Sequence, residues 1–303
     1  MKKIIISGGH GFLGRALALK FKKKYKIVVI DRESNDETQG DVIYRWDMAK
    51  LEDEQLKQLE SEIKSCDVFI HFAASVGVSK INDDPKKAIR DDHAISSYLF
   101  PLLEKYKKKI IFSSTSEVYG NRENCTEGDV LQIGDPEILR WGYAAHKLMS
   151  EFLIKAHNLE HTIIRPFNIT GKGQTHRYGM VLPTFIHKAK NAKAIEVFGN
   201  GNQTRSFCDI RDFVNVLELI IEENLFNNET INIGSDENFI TINELATLLK
   251  EYYYPELIIN YREFKEVYSN SMDDIIYRSP NIDKLKKHYQ PQFSIQDIIK
   301  SML

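Results

Sequence analysis

Tyr143 and Lys147 stand four positions apart in a stretch with helical spacing, so their side chains share one face. Such a pair can oxidise an alcohol. A base must take the hydroxyl proton while hydride leaves the carbon. Free tyrosine titrates near ~10, too high for a base at neutral pH. A lysine ammonium within reach favours the phenolate, and one opposite charge lowers a pKa by roughly 1–3 units. Thr115 follows the apolar run 109–113 and would hold the same hydroxyl from the other side. Glu117, two positions further on, is a carboxylate that could move a second proton, or a solvent-facing residue at a strand end.

A second group of residues points to a phosphate. Gly8, Gly11 and Gly14 follow a short apolar run and open a helical pattern. Glycine lets backbone N–H groups approach a pyrophosphate, and the helix that starts there adds its positive end. Asp31 ends the next apolar run, at the distance where an acid reaches a ribose 2′-hydroxyl. An acid there favours NAD over NADP, although Arg32 beside it could receive a 2′-phosphate. Asp47 either reaches an adenine amino group or caps the helical turn after Met48.

These groups need a frame. The runs 3–7, 26–30, 67–72, 109–113 and 162–165 are short, β-branched or aromatic, and continuous, as in strands covered on both faces. Amphipathic stretches separate them. One places Phe12, Ala16, Leu17 and Phe21 on a single side, and the stretch 143–157 is another. The alternation predicts an α/β fold, a doubly wound parallel sheet over residues 1–166. Beyond Arg165 the segments shorten and glycines recur. A smaller mixed α/β domain over 167–303 is expected, with some segments returning to the first.

Composition sets bounds. A formal net charge of -2 gives no global field toward nucleic acid or an acidic membrane. Three scattered cysteines, Cys66, Cys125 and Cys208, form no disulfide framework or metal-ligand spacing, and no metal is expected. No apolar run nears the ~20 residues that span a bilayer, and no signal peptide is seen, so a cytoplasmic protein is expected.

Together these residues resemble the extended short-chain dehydrogenase/reductase superfamily, in particular its NAD-dependent epimerase/dehydratase family of nucleotide-sugar enzymes. The resemblance runs through Gly8–Gly14, His71-Phe72-Ala73-Ala74, Ser113–Gly120, Tyr143–Lys147, Arg165-Pro166-Phe167-Asn168, the runs 179–183 and 197–207, and Asn232–Ser235. It implies a Rossmann-type fold binding NAD. The cofactor would lie against Gly8, Gly11, Phe12, Leu13, Gly14, Asp31, Arg32, Asp47, Met48, Phe72, Ala73, Ala74, Ser113, Tyr143, Lys147 and Phe167. It also implies a nucleotide-diphosphate sugar held by Thr115, Asn168, Val181, Arg205 and Arg278, the two arginines clamping phosphates. A homodimer formed through the helices around 85–105 and 143–157 is expected likewise. Three positions depart from the family pattern: His146 stands where a serine is common, Asp92 where an asparagine is, and Lys172 where a proline is.

The resemblance implies oxidation at sugar C4 to a 4-ketone. An epimerase then returns hydride to the other face, a 4,6-dehydratase removes a C5 proton, and a decarboxylase loses CO2. The run Thr115-Ser116-Glu117 is similar to that of UDP-glucuronate decarboxylases and GDP-mannose dehydratases. The alternatives stay open at this point, as does a non-catalytic protein that only senses NAD(H).

Overall fold

The computed structural model describes residues 1–33, 37–74, 84–263 and 276–303. Strands β1 (Lys3–Ser7), β2 (Lys26–Ile30), β3 (Val42–Tyr44), β4 (Val68–His71) and β5 (Lys109–Ser113) build the first half. Helices α1 (Phe12–Phe21), α2 (Asp53–Ser65) and α3 (Pro85–Lys105) connect them. After β6 (Arg122–Cys125) come α4 (Trp141–Ala156), β7 (His161–Pro166) and β8 (Ile169–Thr170). Next are α5 (Val181–Ala192), β9 (Ala194–Phe198), β10 (Thr204–Ser206), β11 (Cys208–Asp209), α6 (Ile210–Glu222) and β12 (Glu229–Ile233). The chain ends with β13 (Phe239–Thr241), α7 (Ile242–Tyr252), β14 (Ile258–Arg262), β15 (Arg278–Pro280), α8 (Asp283–Lys286) and α9 (Ile295–Met302).

Seven strands form one sheet in the order β12-β7-β5-β4-β1-β2-β3. Each neighbouring pair is parallel. This is the Rossmann-type doubly wound sheet that the alternating pattern predicts, and its chain order reverses between β1 and β4. The crevice outside the carboxyl ends of these two strands is where such sheets hold ligands. The strands are apolar without alternation because both faces are covered. On one face Ile4, Ile6, Val29 and Ile164 pack with Leu17, Phe21, Phe213 and Leu217 of α1 and α6. On the other, Ile5, Val28, Phe69 and Ile110 pack with Leu59, Leu99 and Leu103 of α2 and α3.

The strand β12 joins the sheet edge although it lies far along the second half. Its sequence carries too few apolar residues to announce a buried strand. A separate core holds α5, β9, α7 and α9 together through Leu182, Phe185, Val197, Leu245 and Ile298. Short pairings link this region to the sheet: β8 with β11, and β6 with β15. The second of these sets Arg278 opposite Arg122, close to the turn that carries Glu117.

Candidate active site

The glycine loop shows why its positions are glycine. Gly8 has φ +72, and a Cβ there would lie 2.7 Å from Ala73 N. A Cβ on Gly14 would lie 2.3 Å from the carbonyl oxygen of Gly8, so the start of α1 can sit on the loop only without a side chain. Helix α1 begins after Gly11 with no side-chain cap and no acid in its first turn. Its N-terminal N–H groups and dipole therefore face a cradle built for an anion. Asp31 is held by the loop itself: its carboxylate accepts from His10 N and Glu33 N, each at 3.0 Å. Asp47 caps the turn at Met48, accepting from Ala49 N at 3.1 Å, and also lines the crevice. The capping reading of Asp47 is the one the geometry bears out.

The crevice is a cleft of about 1080 Å3 running from Gly8, Asp31 and Ala74 to Tyr143, Arg205 and Arg278. That volume reaches the upper end for one drug-sized ligand, ~1,000 Å3, so it suits two extended ligands end to end. Of the residues expected at the site, Phe167 alone does not line it. Its ring is fully buried and packs 5.9 Å from the ring of Tyr119, while Pro166 faces the cleft instead. The expectation for Phe167 is corrected on this point: the large apolar ring completes a small core beside Val118 and Cys125.

Tyr143 lies in the first turns of α4, with Lys147 one turn on. Both line the cleft beside Ser113 and Thr115, which leave the carboxyl end of β5. Lys147 is buried and donates to the Ser113 carbonyl at 2.7 Å. Its Nζ lies 5.9 Å from the Tyr143 ring centroid. Thr115 lies close enough to Tyr143 to favour its phenolate. Electrostatics here differ from the expectation that Lys147 lowers the phenol. Burial pushes the Tyr143 pKa up, and the charges of Glu117 and Asp92 push the same way, outweighing Thr115 and Arg278. Burial also lowers Lys147, to about 8, although Asp92 and Glu151 oppose this. Below the pair, His71 shares a 2.6 Å hydrogen bond with Ser7 and is held neutral by burial, with its pKa near 3.

Glu117 sits in the turn after Thr115, mostly buried between two arginines. Its Oε1 lies 3.5 Å from Arg140 Nη2 and 3.3 Å from Arg278 Nη1. Burial would raise its pKa, yet Arg140, Arg278 and Arg205 together hold it below the usual carboxylate value. The solvent-facing reading of Glu117 therefore fails. Arg278 also donates to Asn168 Oδ1 at 3.0 Å, and its Nε is buried with no hydrogen-bond partner among the described residues. Asn168 takes φ +38 and donates to the Ser206 carbonyl at 2.8 Å. Arg205 and Val181 line the same end of the cleft. Arg140 was not singled out as a site residue from sequence. What reveals it is the ion pair to Glu117, a residue from another element.

The two departures on the helices meet in space. Asp92 on α3 lines the cleft, and His146 Nδ1 lies 3.8 Å from it, with the imidazole held neutral by burial, its pKa near 4. Among the described residues no three His, Cys, Asp or Glu side chains could hold a metal. No described helix is long and apolar enough to cross a membrane.

With this geometry in place, the comparison with known proteins is decisive at the family level. A model of the NAD dependent epimerase/dehydratase family matches residues 4–234. The chain belongs to this family. Its cofactor is NAD, and the glycine cradle, Asp31 and the open end of α1 fit that dinucleotide. The family comprises nucleotide-sugar epimerases, dehydratases and decarboxylases. The chain is 29% identical to UDP-N-acetyl-alpha-D-glucosaminuronate decarboxylase of Bacillus cytotoxicus, covering 100% of this chain and 97% of that protein. It is 30% identical to the bifunctional polymyxin resistance protein ArnA of Wigglesworthia glossinidia brevipalpis, over 100% of this chain and 51% of that protein. A solved structure of MoeE5 in complex with UDP-glucuronic acid and NAD shares the fold with a TM-score of 0.83. It is 20% identical over 99% of this family member and 97% of that chain.

Proposed function

We propose that this protein is an NAD-dependent enzyme that oxidises C4 of a nucleotide-diphosphate sugar to a 4-ketone. The observation that carries the reading is the meeting of Thr115, Tyr143 and Lys147 midway along a cleft with a pyrophosphate cradle at one end and arginines at the other. NAD, when bound, accepts the C4 hydride and brings a positive charge beside the phenol. Tyr143 takes the C4 hydroxyl proton, Thr115 orients that hydroxyl, and the Lys147 ammonium stabilises the phenolate. Since burial raises the phenol in the protein alone, the cofactor's charge must supply part of the stabilisation. Asn168, Val181 and Arg205 line the end assigned to the nucleotide diphosphate.

The position of Glu117 favours one outcome after oxidation. Arg140 and Arg278 bring two buried guanidinium groups to Glu117 at the reacting end. Their forked geometry also suits a sugar bearing a carboxylate at C6. A C4 ketone is β to that carboxylate, so loss of CO2 leaves its electron pair in the enolate, and C5 then takes a proton. A substrate carboxylate that draws Arg278 away would raise the pKa of Glu117 and let it exchange that proton. The decarboxylases among the relatives support this reading over epimerisation or 4,6-dehydration. The substrate class and the order of steps follow from mass spectrometry of UDP-, GDP-, CDP- and dTDP-sugars, uronates included, incubated with NAD. Loss of CO2 from a uronate is expected, and Glu117→Gln should stall the reaction after hydride transfer. Turnover of neutral sugars alone would exclude the decarboxylase reading.

The same proposal includes a homodimer. Met149 and Phe152 on α4, and Ile89 on α3, are apolar yet 54%, 63% and 43% exposed. The two helices pack together, and exposed apolar side chains such as these are what a second copy of the chain would cover.

A further inference from the structure

Tyr143, Lys147 and Glu151 recur every fourth residue along α4, so the face that carries the reacting pair continues into a buried carboxylate. Glu151 and Arg165 are each 4% exposed at the side chain. Arg165, on β7, donates to both oxygens of Glu151, from Nε at 3.0 Å and Nη2 at 2.7 Å. Ser114 donates its hydroxyl to the same carboxylate. Ser114 stands between Ser113, whose carbonyl receives Lys147, and Thr115, which lines the cleft with Tyr143. Arg165 continues outward through Nη1 to the Tyr119 hydroxyl at 2.8 Å, and Tyr119 donates to Asn232 at 2.7 Å. Asn232 in turn donates to the carbonyl of Asn281, just beyond the strand that bears Arg278. One chain of buried hydrogen bonds thus ties the strand end, the catalytic helix and β12 together.

A buried carboxylate–guanidinium pair is weak support for stability, because two charges must leave water. Its bidentate geometry is rigid and directional, which suits fixing a distance. We propose that Glu151 and Arg165 are positioning residues for the oxidation, a clamp that sets the strand end bearing Thr115 at a fixed distance from Tyr143 and Lys147. This rests on the reading of Tyr143 and Lys147 as the oxidising pair. Glu151 also acts electrostatically. Lys147 is faced by Asp92 from α3, by His71 from β4, and by Tyr143, His146 and Glu151 on its own helix. The Glu151 charge holds the ammonium in place against burial.

The test compares Glu151→Gln, Ser114→Ala and Tyr143→Phe on the nucleotide sugar that the wild-type enzyme turns over, with NAD. Displacement of reacting groups by about 1 Å can cost 10²-fold. Glu151→Gln should therefore lose roughly 10- to 100-fold in kcat with KM changed less than about 3-fold. Its alkaline limb should also move to lower pH, because Lys147 loses a compensating charge. A packing role would leave that limb in place. Ser114→Ala keeps the charges, so it should lower kcat and leave the limb where it is. It also decides the matter if Glu151→Gln does not fold. Wild-type kcat in Ser114→Ala, or an unmoved limb in folded Glu151→Gln, overturns the clamp when Tyr143→Phe is inactive. Full activity in Tyr143→Phe would instead overturn the assignment of the oxidising pair.

Discussion

At the scale of single residues, the site works through charges that burial has made costly. Lys147 is lowered to about 8, so its ammonium is present below that pH and lost above it. Because kcat/KM reports the groups of the free enzyme, it should fall as pH rises through about 8. A profile flat to pH 10 would remove Lys147 from the account. Glu117 runs the other way. Its arginines hold it below the usual carboxylate value, so in the proposed reaction it supplies the C5 proton only once a substrate carboxylate has drawn Arg278 away. Tyr143, Lys147, Thr115 and Glu117 were legible in the sequence because they lie in two short runs with fixed spacing. Their electrostatics were not. The pull of Asp92, the second arginine on Glu117 and the anchoring of Lys147 on a carbonyl all come from other elements.

At the scale of elements, position depends on how closely backbone can approach backbone. Gly14 fits because no side chain stands between α1 and the loop. Gly14→Ala would press a Cβ to 2.3 Å from one carbonyl oxygen and 2.6 Å from Gly9 Cα, neither able to swing aside. Overpacking of this kind costs about 1–3 kcal/mol. A lower melting temperature is expected, and, with the strain falling on the cradle that holds NAD, an affinity weaker by about 5-fold or more, since 1.4 kcal/mol is a factor of ten in binding. Calorimetry on the folded variant checks both. The loop and strands β1, β2, β4, β5 and β7 could be read from apolar runs and glycines because each is local. Phe167 could not be placed that way. The position after β7 faces either the cleft or the small core behind Tyr119, and only packing volume decides between them.

For the whole molecule, the sheet supplies one wall of the cleft and the later segments supply the other. The texture change after Arg165 was visible in the sequence, whereas the return of β12 to the sheet was not, because a strand at a covered edge carries little apolar signal. Ile89, Met149 and Phe152 are exposed on α3 and α4, which pack together, so a second copy there would brace the helix that carries Tyr143. Sedimentation should show a dimer, and the pair Met149→Glu with Phe152→Glu should yield a folded monomer. A wild-type monomer at micromolar concentration would refute the proposed assembly.

The central claim is that Tyr143 starts C4 oxidation of a nucleotide sugar. Its most direct test is the rate of product formation, followed by mass spectrometry, in wild type and Tyr143→Phe with equal NAD loading. Removing a positioned acid–base group typically costs 10²–10⁴-fold, so Tyr143→Phe should fall by about that factor while binding NAD and the sugar as before. Conversion by Tyr143→Phe at the wild-type rate would contradict the account.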